Sequence, residues 1–281
     1  MPTTEPLLTQ TLAWQALVAV AHGDSPGVDG LALASAGWHT RRAVSDDARM
    51  LLDCLTNVAA HCGPLAMAQL GQSLDGRIAT ESGHSHYING LESRVHLHRL
   101  RALVDAVVVG AGTASEDDPQ LTVRHVTGPN PVRVILDPRG RVPPDITLLR
   151  NDSAPTLHLH GEGMTPIGKP AAHVQRIALP VTHRGFDPAA VLAVLAERGL
   201  PRVLIEGGGI TVSRFLDANV LDRLHLLVAP LLIGSGRPGL CLPPIATLDD
   251  ARRPLTRTFP CGDDTLFDLD LFDLDRRRAA S

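Results

Sequence analysis

From residue 65 onward, short apolar runs alternate with stretches in which apolar residues recur every three or four positions. The runs at 65–70, 106–110, 132–137, 156–160, 174–179, 202–206, 223–229 and 265–271 predict strands. The segments 90–103, 188–198 and 211–218 predict helices. Val107, Val108 and Val109, and then Val203, Leu204 and Ile205, are continuous and β-rich, as expected of strands covered on both faces. Strand–helix–strand alternation predicts an α/β fold with a largely parallel central sheet flanked by helices.

Residues 1–63 follow a different pattern. A short helix is predicted over 11–21, around Trp14, Leu17 and Val18, and a Gly/Asp/Pro-rich turn over 23–30. Ser45 is placed as the N-cap of a second helix, with Asp46 and Asp47 in its first turn, where the helix dipole favours acids. Leu51, Leu55 and Val58 recur at helical spacing, and Gly63-Pro64 stops the pattern. The expected organisation is a partly helical extension over 1–63, a domain over 64–275, and a basic tail over 276–281 carrying Arg276, Arg277 and Arg278.

A chain of 281 residues, 44% hydrophobic, can build a core without disulfides or structural metal. Its four cysteines, Cys54, Cys62, Cys241 and Cys261, form no CxxC pair, which argues against a zinc knuckle and suits a reducing cytoplasm. A formal net charge of −4 disfavours a nucleic-acid partner. No apolar stretch reaches the length that spans a bilayer, and the first residues lack the basic start of a secretory signal.

Candidate chemistry gathers after predicted strands. Glu206-Gly207-Gly208-Gly209-Ile210-Thr211 leaves one strand and opens a helix, an arrangement that lets backbone N–H groups approach a phosphate. It is not the GxGxxG dinucleotide fingerprint. Gly110-Ala111-Gly112-Thr113, with Asp117 to Arg124 close behind, leaves another strand, and open α/β sheets bind ligands at such ends. Asp75-Gly76 signals a hairpin turn and is read as structural. Arg101 and Arg124 are candidate phosphate ligands. His84, His86, His96 and His98 form two HxH pairs, but the second lies in a predicted helix, where i and i+2 diverge, so no metal site is assigned.

Taken in order, these segments resemble one family. SLDGRIA at 73–79, SGHSHYI at 82–88, VVVGAGTASEDDPQLTVR at 107–124, VRVILDPRGRVP at 132–143 and LIEGGGITVSRFLDANVLDRLHLLVAPLLIGSGRPGL at 204–240 are similar to the reductase domain of the riboflavin-biosynthesis deaminase/reductase. The resemblance implies a dihydrofolate-reductase-like fold. It also implies NADPH-dependent reduction of a 5-amino-6-(5-phosphoribosylamino)uracil-type substrate to its ribitylamino product, with hydride delivered to C1′ of the opened sugar. Carried over by position, Gly71, Tyr87, Gly110, Thr113 and Asp117, with Gly207, Gly208, Gly209, Ile210, Thr211, Val212, Ser213 and Arg214, would contact the cofactor. Ser85, Arg101, Leu121, Arg124 and Glu206 would contact the phosphorylated pyrimidine, and Glu206 and Asp117 are the candidate catalytic groups. Arg139, Arg141 and Arg214 are the cations available to a cofactor 2′-phosphate. The family habit implies a homodimer.

Three positions depart from the family pattern. Gln69 stands where a lysine is usual, Tyr87 where tryptophan is usual, and Asn89 where serine or threonine is usual. The first removes a cation from near the base or sugar. The HxE and PCxxC pattern of the fused zinc deaminase has no counterpart in 1–63. Beside the riboflavin-type reductase stand two other readings: a reductase of the same fold acting on another pyrimidine, pteridine or natural-product intermediate, and a nucleotide-binding regulator without turnover.

Overall fold

The structure is a computed structural model that describes residues 6–86 and 88–272. The chain divides into two compact units, Met1–Gly63 and Pro64–Ser281.

The first unit holds α1 (Gln10–Ala21), β1 (Leu31–Ala34), β2 (Gly37–Thr40) and α2 (Asp46–Ala59). Thr9 caps α1 through its hydroxyl, and Ser45 caps α2 by accepting the Ala48 N–H at 3.3 Å, with Asp46 and Asp47 in the first turn. Leu51, Leu52, Leu55 and Val58 bury one face of α2. Reading this region as two helices and a turn missed the β1–β2 hairpin, whose strands are only four residues long. Trp38 on β2 ties back to α2 through Asp53 at 2.7 Å.

The second unit runs β3 (Leu65–Ser73), β4 (Arg77–Thr80), α3 (Leu91–Ala102), β5 (Ala106–Gly110), α4 (Ala111–Glu116), β6 (Val132–Asp137), α5 (Thr147–Arg150), β7 (Thr156–Gly161), β8 (Val174–Leu179), α6 (Pro188–Glu197), β9 (Arg202–Ile205), α7 (Gly209–Asp217), β10 (Arg223–Ala229), β11 (Gly236–Pro238), β12 (Leu255–Cys261) and β13 (Asp264–Asp270). Nine strands form one sheet in the order β12-β13-β10-β3-β9-β5-β6-β7-β8. The seven from β10 to β8 are parallel, and β13 and β12 close one edge antiparallel.

Both faces of the sheet are covered, which is why β5 and β9 carry unbroken apolar runs. Ala68, Leu70, Val108, Val203 and Ile205 pack on one face against Val191 and Leu195 of α6 and Val212 and Phe215 of α7. On the other face α3 sits over β10, where His96 Nε2 meets His225 Nδ1 at 2.9 Å.

β9 returns between β3 and β5 after the chain has built three strands on the far side of β5. Such a reversal leaves a crevice at the carboxyl ends of the strands flanking it. Among the described residues the periodicity reading missed β4, β11, α4, α5 and the exposed edge strand β12. The Asp75-Gly76 turn forms, with Gly76 at φ +77°, but its flanking strands do not pair as a hairpin. β4 pairs instead with β11, in a separate two-stranded ribbon. Asp75 accepts from Ser73 Oγ, Ile233 N and Gly234 N. Those bonds, the Ser73 hydroxyl first, bring its pKa down to about 2.

Candidate active site

A cavity of about 1030 Å³ opens at the carboxyl ends of β3, β5, β6 and β9. Its glycine-rich wall follows from close packing. Gly207 has φ +100°, a conformation that disfavours any side chain, and a Cβ there would stand 2.8 Å from Thr113 Oγ1. At Gly209 a Cβ would collide with the Gly239 carbonyl oxygen. Thr113 Oγ1 accepts the Gly208 N–H at 2.9 Å, so the loop after β5 and the loop after β9 form one surface. α7 starts there without a side-chain cap. Its first-turn amides, at Gly209 and Ile210, have no intrahelical acceptor and favour an anion.

Beyond α7 the cavity becomes basic. Arg139 and Arg141 come from the turn after β6, Arg184 from the Thr182–Gly185 turn, and Arg214 from α7. Burial, then Arg184 and Arg139, push the Arg214 pKa down. Arg184 pairs with Asp217 at 3.1 Å, while Arg139 and Arg141 have no side-chain partner among the described residues. Cations crowded with so little counter-charge make a seat for a phosphate.

The opposite wall is built on a buried ion pair. Arg101 of α3 donates from Nε to Glu206 Oε1 and from Nη2 to Oε2, both at 2.7 Å, and from Nη1 to the Thr122 carbonyl at 3.0 Å. Both side chains are buried. Arg101, a candidate phosphate ligand from the sequence, therefore keeps at most two N–H groups for a ligand. Each Glu206 carboxyl oxygen thus already accepts one guanidinium N–H.

The segment from Asp117 to Arg124 is held from several directions. Asp118 caps α5 through Thr147 N and Oγ1, Asn130 Oδ1 accepts from Val123 N, and His98 Nδ1 accepts from Arg124 N at 2.9 Å. Burial, then Arg101 and His125, lower the His98 pKa to about 3, so its ring stays a neutral acceptor. Within the segment, buried Leu121 has φ +54°, a strained conformation for a bulky residue and one that clusters at ligand sites. Arg124 is exposed, and among the described residues its side chain pairs with the neutral Gln120 and Thr122 side chains. Asp117 stands at the cavity, and burial followed by the Glu116 carboxylate raises its pKa.

Most expected site residues meet at this cavity. Gly71, Gly110, Thr113 and Asp117 line it, as do Gly207, Gly208, Gly209, Ile210, Thr211 and Arg214. So do Ser85, Arg101, Leu121 and Glu206. Val212 and Ser213 do not, because they sit on the buried face of α7. Arg124 lies beyond the lining, at the end of the segment that carries Leu121. Tyr87 and the tail over 276–281 lie outside the described residues.

Sequence reasoning missed Arg94 and Arg184. Arg94 lines the cavity seven residues before Arg101, a helical spacing that could have placed it on the same face. Arg184 had no comparable signal. Gln69 is buried in the cavity wall, and its amide makes no hydrogen bond among the described residues. His96 and His98 diverge as their spacing required: one stacks on His225, the other serves Arg124. Among the described residues no group of His, Cys, Asp or Glu is arranged to hold a metal, and no helix is long and apolar enough to cross a membrane.

Residues 64–266, which contain every element of this cavity, match the RibD C-terminal domain. The chain belongs to the RibD C-terminal domain family. Over 210 residues it is 32% identical to the 2,5-diamino-6-ribosylamino-4(3H)-pyrimidinone 5′-phosphate reductase of Methanothermobacter thermautotrophicus, covering 72% of this chain and 96% of that one. Over 175 residues it is 37% identical to the riboflavin biosynthesis protein RibD of Aquifex aeolicus. That match takes in 62% of this chain and 48% of the relative, so the chain spans about half of the longer protein.

A crystal structure from Thermotoga maritima, of a diaminohydroxyphosphoribosylaminopyrimidine deaminase/5-amino-6-(5-phosphoribosylamino)uracil reductase, superposes with a TM-score of 0.63. Identity is 25%, over 82% of this chain and 64% of that one. The dihydrofolate-reductase-like α/β class expected of the RibD C-terminal domain is the observed one, and the family implies a nicotinamide cofactor.

Proposed function

We propose that this protein is an NADPH-dependent reductase that converts a 5-phosphoribosylamino-pyrimidine to its ribitylamino product. One observation carries the reading. A single cavity joins a glycine cradle and arginine cluster at one end to the Arg101–Glu206 pair and Leu121 at the other, with Arg124 three residues beyond Leu121. The cradle fits a pyrophosphate, because the α7 N-terminus carries no side-chain cap and leaves its first-turn amides to an anion. Arg139, Arg184 and Arg214 fit a 2′-phosphate, which favours NADPH over NADH.

Bound there, a reduced nicotinamide supplies hydride. The substrate's opened sugar presents a C1′=N bond. Hydride adds at C1′, the π pair moves to nitrogen, and nitrogen takes a proton. Asp117, whose carboxyl is biased toward the protonated form by burial and Glu116, suits the proton's delivery. Glu206 accepts from sugar hydroxyls with its remaining lone pairs, and Arg124 holds the 5′-phosphate with N–H groups not engaged by Gln120 and Thr122. Fixing the two carbons in reacting geometry can lower the barrier by ~7–11 kcal/mol, so positioning is the protein's main task.

Gln69 favours keeping a second substrate in view. Its amide both donates and accepts, so it can meet either a 2-oxo or a 2-amino pyrimidine edge, where a lysine could only donate. Purified protein mixed with NADPH and each of the two pyrimidine phosphates tests the proposal. Turnover with either supports a ribosylamino-pyrimidine reductase. Tight NADPH binding with neither substrate reduced would leave the other-substrate or regulator reading.

A further inference from the structure

We propose that buried Asp137 is a positioning residue for the basic end of the cavity, setting its affinity for a 2′-phosphorylated adenosine. The inference rests on the cofactor reading above and names how this chain builds that subsite.

Asp137 ends β6 and has no exposed surface. Its Oδ1 accepts the Arg141 N–H at 2.9 Å, and its Oδ2 accepts the Val142 N–H at 3.0 Å and His158 Nε2 at 3.0 Å. Because the carboxylate only accepts, His158 must carry its proton on Nε2. The Asp137 carbonyl accepts the Gly140 N–H at 3.1 Å, and Gly140 takes φ +63°. The turn is thus closed by backbone and side chain together. Arg139 and Arg141 flank Gly140 and both reach the cavity.

Where the carboxylate spends its oxygens decides what it can do. Both accept from the Arg141 and Val142 N–H groups and from His158, so Asp137 fixes the turn that carries Arg139 and Arg141 without taking up an arginine side-chain N–H. Burial alone would raise its pKa, but His158 and the two backbone donors outweigh that and lower it. A neutral residue could close the turn, but burying an ion is costly unless the charge has a use.

The test compares 2′,5′-ADP with 5′-AMP binding to the full chain by calorimetry. Wild type should bind 2′,5′-ADP the more tightly. Asp137→Asn should weaken 2′,5′-ADP by about tenfold and leave 5′-AMP unchanged. His158→Asn, which spares the carboxylate, should shift the same ratio by a smaller factor and serves if Asp137→Asn does not fold. Equal weakening of both ligands, or a fall in Tm with the ratio intact, would reduce Asp137 to a structural residue and overturn the inference. Failure of the cofactor reading looks different: wild type would bind both fragments alike, and Arg139→Ala and Arg214→Ala would leave their ratio unmoved.

Discussion

Arg101 and Glu206 face each other as a two-point ion pair in the cavity wall, 105 residues apart in sequence and 2.7 Å apart at both contacts. The pair joins α3 to the carboxyl end of β9, and the Thr122 carbonyl adds the Leu121 segment to the same guanidinium. One arginine thereby sets the relative positions of three chain segments around the proposed reacting carbon.

Breaking that pair should cost both stability and rate. Glu206→Gln cannot meet two guanidinium donors and leaves Arg101 without its countercharge. Loss of one partner from a buried pair typically costs ~3–5 kcal/mol. Denaturant unfolding should show a loss of that order, with kcat falling in parallel. An unchanged unfolding midpoint would mean that the pair does not hold the wall.

Arg124→Ala should raise the KM for the phosphorylated pyrimidine by on the order of tenfold or more, since a charged hydrogen-bond partner is removed. NADPH affinity should stay the same, because Arg124 lies outside the cofactor end. Titrating each ligand separately checks this, and equal loss of both would remove Arg124 from the substrate's phosphate.

Gly208→Val should abolish NADPH binding while the domain stays folded. Space for a Cβ exists at Gly208, where the nearest atom is Thr113 Oγ1 at 3.5 Å, but the larger side chain would fill the cradle. Fluorescence titration with NADPH reads the effect. Wild-type affinity in a folded variant would take the α7 N-terminus out of the site.

His98 should make stability depend on pH. Its folded pKa of about 3 lies below its ordinary 6.5, so the unfolded chain binds the extra proton first as pH falls. Its contribution is fully present above 6.5 and is lost progressively down to about 3, at up to ~1.4 kcal/mol per pH unit. His98→Asn keeps an acceptor for the Arg124 N–H but cannot titrate. Unfolding free energies across that window should rise less steeply with pH in the variant than in wild type. Identical slopes would mean that His98 is protonated in the folded protein.

The parallel core of the fold was legible because continuous apolar runs at β5 and β9 report burial on both faces. The elements that escaped were too short or too exposed to show a period: the β1–β2 hairpin, the β4–β11 ribbon and edge strand β12. In the site, the glycine loops announced themselves through residues that only a close backbone approach requires. The role of Arg101 was hidden, since nothing local pairs it with Glu206. Arg184 was equally silent, because its neighbours Arg139 and Arg214 come from distant segments. Val212 and Ser213 were drawn in by a contiguous motif that takes no account of the inward face of α7.

The central claim is that hydride passes to sugar C1′ in this cavity. The most direct test incubates the protein with NADPH deuterated at both C4 positions and a 5-phosphoribosylamino-pyrimidine, either the uracil or the 2,5-diamino-pyrimidinone. The ribitylamino product is then examined by mass spectrometry. One deuterium on C1′ is the predicted result. Bound NADPH that is never consumed, or product without label at C1′, would contradict the account.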